Sequence, residues 1–202
     1  MKGVLLALSR WRVNFHGEIP KSGPLIIVAN HLNMIDPPLL SASITRRIVF
    51  MAKQELYSSP GGIFIRLFGA FPVRRGEPDR RALRQAEAVL REGLALGMFP
   101  EGTRGRMAQM QRPKAGTSLI ALRSGAPILP VGITGSEAIS GPGFIFRRPK
   151  ITVNVGRPFT LPRREGKVTA AQLDKLSDVI MEHIADLLPE SYRGVYGRSR
   201  DG

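Results

Sequence analysis

His31 and Asp36 stand five residues apart in Asn30-His31-Leu32-Asn33-Met34-Ile35-Asp36, and a histidine held by a carboxylate is a ready general base. Five residues put two side chains about 140° apart on a helix and on opposite faces of a strand, so regular structure would separate this pair. They meet only if the segment curls, at the mouth of a sheet, where α/β proteins bind ligands. Asp36 would then take a hydrogen bond from one imidazole nitrogen and leave the other free as a base. Asp36 equally suits the N-cap of a helix opening at Pro37-Pro38, with His31 an ordinary loop residue, and the pair alone does not choose. Rival chemistries are few. The chain has no cysteine and no Gly-x-Ser-x-Gly elbow, and its three histidines, His16, His31 and His183, lie far apart without metal-ligand spacing.

Of three further blocks, two combine apolar lead-ins with reactive or cationic side chains. Gly69-Ala70-Phe71-Pro72-Val73-Arg74-Arg75-Gly76 ends in two arginines, whose guanidinium groups suit phosphate but also suit plain solvation. Phe99-Pro100-Glu101-Gly102-Thr103-Arg104 sets a carboxylate, a glycine, a hydroxyl and a guanidinium in succession. Gly102 lets the backbone approach a ligand closely, Arg104 can bind an oxyanion, and Glu101 can orient that arginine or a substrate hydroxyl. The same block also reads as a polar turn after a strand. Ala126-Pro127-Ile128-Leu129-Pro130-Val131 is apolar and suits a wall.

The elements that must position these residues alternate in α/β fashion. Trp11, Val13 and Phe15 alternate with Arg12, Asn14 and His16 as in a half-buried strand, and Leu25 to Ala29 is an apolar run suited to a buried one. Ile48 to Ala52, Met98-Phe99, Ile128 to Ile133 and Ile151 to Val155 read as further strands. Helices are expected from Pro37 to Ile44, from Glu55 to Phe68 with a weak point at Pro60-Gly61-Gly62, and from an Asp79 cap along the stripe Leu83, Ala86, Leu90 and Leu94 to Gly93 or Gly97. Gly116 to Arg123 is a helix ended by Gly125. The last helix carries a Thr169/Gln172 capping box and the apolar face Leu173, Leu176, Ile180, Ile184 and Leu187. His183 lies beside that face and His16 on the first strand, and neither is assigned chemistry.

The formal charge is +14 in 202 residues, and from Gly102 to Ser136 five Arg or Lys face no Asp or Glu. Nucleic acid, an anionic membrane and phosphorylated metabolites are all admissible partners, as is a merely solubilising surface. Aromatic residues are only 6% and no nucleic-acid reader motif appears, so nucleic acid is not expected. No run is long enough for a bilayer span or a secretory signal.

Taken together, in order and spacing, the four blocks resemble those of the lysophosphatidic acid acyltransferase family, the glycerolipid acyltransferases of the 1-acyl-glycerol-3-phosphate type. Asn30-His31 to Asp36 is similar to the family's His-x-x-x-x-Asp motif, Gly69 to Arg75 to its second, Phe99 to Arg104 to its Phe-Pro-Glu-Gly-Thr-Arg motif, and Ile128 to Val131 to its fourth. Weaker similarity at Ala52 to Leu56 and Lys114 to Gly116 extends the match from about Val13 to Val155. Asn33 stands where the family often has serine.

The resemblance implies transfer of a fatty acyl group from acyl-CoA or acyl carrier protein to the hydroxyl of lysophosphatidic acid, giving phosphatidic acid, with no acyl-enzyme, no cofactor and no metal. His31 would be the base and Asp36 its support. Arg75 and Arg104, with Lys53, would bind the acceptor phosphate beside Glu101, Gly102 and Thr103. Glycerol-3-phosphate, another lysophospholipid or an acylated amino lipid would suit the same motifs as acceptor. The expected architecture is one α/β domain, a central mixed β-sheet flanked by helices. Residues 1–12 would form an amphipathic membrane contact, 13–160 the motif-bearing core, 169–188 a packing helix and 189–202 a flexible tail. The expected place is the cytoplasmic face of the cell membrane, on an anionic surface, reached through Met1 to Trp11, Gly61 to Phe71 and Phe144-Ile145-Phe146.

Overall fold

The computed structural model describes residues 9–58, 62–67, 69–74, 79–105, 108–140, 143–162, 166 and 168–197. Seven strands form one sheet: β1 (Arg10–Phe15), β2 (Leu25–Ala29), β3 (Ile48–Lys53), β4 (Phe71–Val73), β5 (Ala95–Met98), β6 (Ile128–Thr134) and β7 (Lys150–Val155), in the order β1-β7-β6-β2-β5-β3-β4. Neighbours run parallel except β6 and β7, which are antiparallel. The sheet is therefore mixed, and it is flanked by helices as expected.

β2 sits at the centre because every one of its residues is apolar and fully buried, the mark of a strand covered on both faces. Ile26 and Val28 face one layer, made by α3 (Arg80–Arg91), α4 (Gly116–Ser124) and α6 (Ala170–Ala185). Leu25, Ile27 and Ala29 face the other, where α1 (Asp36–Ser43) brings Leu39, Leu40 and Ala42. Two short helices, α2 (Gly62–Leu67) and α5 (Phe144–Arg147), lie in the connections from β3 to β4 and from β6 to β7. No helix among the described residues is long and apolar enough to cross a membrane.

Asp79 caps α3 by accepting from the N–H groups of Arg81 and Ala82, and Gly93 ends the turn beyond it at φ +71°. The Thr169/Gln172 capping box is present on α6, whose buried face adds Met181 and Ala185 to Leu176, Ile180 and Ile184. The expected helix from Glu55 to Phe68 is instead a 3-10 turn at Gln54–Ser58 followed by α2. Between them Pro60 and Gly61 lie outside the described residues. The fifth strand is Ala95–Met98, beginning earlier than expected and leaving Phe99 beyond its end. β4 had no clear signal, being three residues with a central proline. It is an edge strand, the place in a sheet where proline is tolerated.

Two expected segments are corrected. Within 1–12, residues 1–8 lie outside the described residues, but Arg10 to Arg12 belong to β1 and Trp11 packs against the core, so this end of the segment is part of the sheet. Of the expected tail 189–202, residues as far as Gly197 are folded against the core. Tyr192 and Tyr196 pack there, their hydroxyls donating to Glu137 and Asp178 at 2.6 Å, and Tyr192 accepts from Met110 N at 2.9 Å. Residues 198–202 lie outside the described residues.

Candidate active site

The carboxyl ends of β2, β3, β4, β5 and β6 meet at one edge, and every chemistry-bearing block leaves the sheet there. Asn30 follows β2 directly and is buried. Its side chain donates to Ile133 O at 2.9 Å and accepts from Ile133 N at 2.7 Å, so one amide continues the β2–β6 pairing and fixes where His31 emerges. Replacing Asn30 by alanine would leave both backbone groups of Ile133 unpaired, at roughly 1–3 kcal/mol for each. Chemical denaturation is expected to show that loss, and an unchanged midpoint would contradict it.

His31 is held from four sides. Its N–H donates to Glu101 Oε1 at 3.0 Å, and its carbonyl accepts from Gly105 N at 2.7 Å. Its ring stacks on Phe99 with centroids 4.2 Å apart, and Phe99 in turn stacks near Phe50 at 6.3 Å. Gly97 makes this aromatic backing possible, because a Cβ there would run into the Phe50 ring. Finally, His31 Nδ1 lies 2.9 Å from Asp36 Oδ2.

Asp36 does not cap α1, contrary to one of the two readings of the sequence. Ile35 holds the cap position with no side-chain bond, and Asp36 is the first helical residue. Instead of capping forward, the Asp36 carboxylate turns back onto the loop that precedes it. Its Oδ2 accepts from Leu32 N and Asn33 N, both at 2.7 Å, as well as facing His31. An oxygen already accepting two N–H bonds is an acceptor toward the imidazole too, which places the ring proton on Nδ1 and leaves the Nε2 lone pair free. Asn33 supports the curl by donating to Ile139 O at 2.9 Å.

The Phe99 to Arg104 block divides by depth. Gly102 turns at φ +67°, while Thr103 and Arg104 are exposed. Glu101 is 3% exposed, its two oxygens taken by the N–H groups of His31 and Gln111 at 3.0 and 2.9 Å. The expectation from sequence is that Glu101 orients Arg104 or a substrate hydroxyl; its two oxygens are instead turned to the backbone, clamping the His31 segment to Gln111. Burial pushes its carboxyl up to about 7 against the opposing effect of those two N–H bonds, with Asp36 adding a smaller push upward.

The remaining cations lie around the same edge. Lys53 ends β3 and pairs with Glu55 at 3.3 Å. Arg74 is exposed, and its Nε donates to Gln54 Oε1 at 3.2 Å. Arg75 lies outside the described residues. A cavity of about 560 Å³ opens between α3 and α4, apolar within and bordered by Arg74, Arg80 and Lys114. The Lys114 stem also packs beside Gly102, making Lys114 a neighbour of the site that the sequence reading left without a role. Phe99 and Asn30 were likewise not assigned positions of their own. A buried amide directly after an all-apolar strand was the available signal for Asn30.

The sequence model of the acyltransferase family matches residues 12–134. A 1-acyl-sn-glycerol-3-phosphate acyltransferase of Streptococcus pneumoniae is 29% identical over 199 residues, covering 94% of this chain and 69% of that protein. One from Bacillus subtilis is 30% identical over 143 residues, covering 70% of this chain and 69% of its own. The crystal structure of the 1-acyl-sn-glycerophosphate acyltransferase PlsC from Thermotoga maritima superposes with a TM-score of 0.67 at 29% identity, over 92% of this chain and 76% of that one. Fold, motif order and sequence similarity agree, and the chain belongs to the acyltransferase family, in its glycerolipid 1-acyl-sn-glycerol-3-phosphate branch.

Proposed function

We propose that this acyltransferase moves a fatty acyl group from acyl-CoA or acyl carrier protein to the free hydroxyl of 1-acyl-sn-glycerol-3-phosphate, forming phosphatidic acid for phospholipid synthesis. The observation that carries this reading is the 2.9 Å pair between His31 Nδ1 and Asp36, which directs the other ring nitrogen away from the carboxylate. Nε2 takes the proton of the acceptor hydroxyl as its oxygen attacks the thioester carbonyl. The tetrahedral intermediate then expels the thiolate, which recovers the proton from the imidazolium, and Asp36 stabilises that cation meanwhile. No acyl-enzyme forms and no cofactor takes part.

Arg104 and Arg75, with Lys53 once it leaves Glu55, bind the acceptor phosphate and hold its hydroxyl by His31, which makes the attack effectively intramolecular. Gly102 and Thr103 line that approach. The apolar cavity beside Lys114 suits an acyl chain of one substrate. The protein works peripherally on the anionic cytoplasmic face of the cell membrane, where a +14 charge favours residence.

The test is acceptor-dependent thiol release from acyl-CoA and acyl carrier protein, with mass spectrometry of the lipid product across phosphorylated and unphosphorylated acceptors. Phosphatidic acid is the product expected. Equal turnover of acceptors without phosphate would overturn the assignment. In the same assay Arg104→Ala is expected to raise the KM for the phosphorylated acceptor about tenfold or more, by loss of one charge-assisted contact. An unchanged acceptor KM with only donor binding impaired would remove Arg104 from the phosphate site.

A further inference from the structure

Each end of the His31–Asp36 curl leans on a segment from elsewhere in the chain. His31 N is bound by Glu101, whose second oxygen takes Gln111 N, so the His31 end rests on the stretch at Met110 and Gln111. Asn33, whose N–H donates to Asp36, gives its side-chain amide to Ile139 O at 2.9 Å. The Asp36 end therefore rests on the 3-10 turn Ser136–Ala138 that follows β6 and closes at Ile139.

One residue of the C-terminal segment joins those two supports. The Tyr192 carbonyl accepts from Met110 N at 2.9 Å, and the Tyr192 hydroxyl donates to Glu137 Oε1 at 2.6 Å. Glu137 sits in the Ser136–Ala138 turn, and its other oxygen is buried with no hydrogen-bond partner among the described residues, so the carboxylate is anchored through Tyr192. Burial, with the facing Glu137 carboxylate, pushes the Tyr192 phenol up to about 12, and it stays a donor at any working pH. The strap that carries Tyr192 is firmly seated. Its two 3-10 turns, Glu190–Tyr192 and Gly194–Tyr196, are joined by Arg193, whose Nε donates to Leu188 O at 3.0 Å. Gly194 lies so close to Met110 that a Cβ would strike the Met110 carbonyl. Tyr196, on the same strap and packed on the same core, gives its hydroxyl to Asp178 of α6 at 2.6 Å, a bond that reaches neither support.

We propose that Tyr192 is a positioning residue for the reaction, tying the Met110–Gln111 stretch to the Ser136–Ala138 turn so that both ends of the His31–Asp36 curl are held in one alignment. This rests on the reading of His31 and Asp36 as the reacting pair and adds what keeps that pair in place. A shift of either support moves the imidazole relative to the acceptor hydroxyl, and rate falls steeply with small errors of alignment.

The experiment compares Tyr192→Phe with Tyr196→Phe in the full chain, by steady-state thiol release, denaturation midpoint and amide hydrogen exchange. Each variant keeps its ring and loses one hydroxyl bonded to a carboxylate, so both should lose stability to a similar degree. Tyr192→Phe alone is expected to lower kcat about tenfold with the acceptor KM unchanged within about twofold, because alignment and not binding is lost. It should also speed exchange of the Leu32 and Asn33 amides, which donate to Asp36, about tenfold relative to the amides of β2. Glu137→Ala should match Tyr192→Phe, with no further loss in the double variant, and Glu137→Gln, which keeps an acceptor for the hydroxyl, should recover most of that loss. Equal falls in kcat for the two tyrosine variants, an unchanged kcat in Tyr192→Phe, or exchange that rises evenly across the sheet would overturn the proposal. Selective exchange at Leu32 and Asn33, in a protein whose parent turns over no acceptor, would uphold the positioning role while refuting the proposed reaction.

Discussion

Replacing His31 by alanine is expected to lower acceptor-dependent thioester cleavage by about two to four orders of magnitude, the usual loss on deleting a general base. The ring is partly exposed, with 12% of its side chain open to solvent, and it contributes one stacking contact to Phe99, so the fold should survive. Circular dichroism and the denaturation midpoint then separate lost chemistry from lost structure. Asp36→Asn refines the test. Its amide oxygen can keep accepting from Leu32 and Asn33, yet the variant removes the charge that stabilises the imidazolium and the acceptor that sets its tautomer. A large fall in kcat with little change in acceptor KM is expected, because the carboxylate acts on the transition state through His31 and not on substrate binding. Near parental thiol release in His31→Ala would show that the dyad does not perform the reaction.

Why the dyad could be suspected from sequence, but not resolved, follows from what local patterns encode. Apolar runs such as Leu25–Ala29 report burial directly, and Asp79, Thr169 and Gln172 report helix starts through bonds made within a few residues. The curl from His31 to Asp36 depends on contacts far along the chain: Asn30 to Ile133, Asn33 to Ile139, and His31 to Glu101. No periodicity carries those. The two prolines after Asp36 mark a helix start, but they suit a carboxylate at the cap or one residue inside it equally and so do not say which way it turns. The stacking of Phe50, Phe99 and His31 was likewise invisible, because Gly97 reads as a possible helix stop until the ring it admits is seen.

Glu101 offers the second large effect, and its sign depends on which property is removed. Glu101→Ala takes away the partner of both His31 N and Gln111 N, leaving two enclosed donors at roughly 1–3 kcal/mol each. That variant should be markedly destabilised and should lose activity with His31 intact. Glu101→Gln keeps the shape and one acceptor but cannot ionise. A carboxyl whose pKa rises from 4.5 to about 7 on folding holds more protons in the fold than in the unfolded chain across that window. Stability therefore falls as pH rises from about 4.5 to about 7, by about 3 kcal/mol at the most. Glutamine abolishes this slope, so Glu101→Gln should match the parent near pH 5 and exceed it near pH 8. Its activity at pH 8 should nevertheless fall, because only the ionised carboxylate accepts from both N–H groups and fixes the His31 segment. Urea titrations from pH 5 to 8 check the first expectation and single-turnover thiol release the second. Parallel stability profiles for parent and Glu101→Gln would mean that Glu101 stays charged throughout, and that the N–H clamp, not burial, governs it.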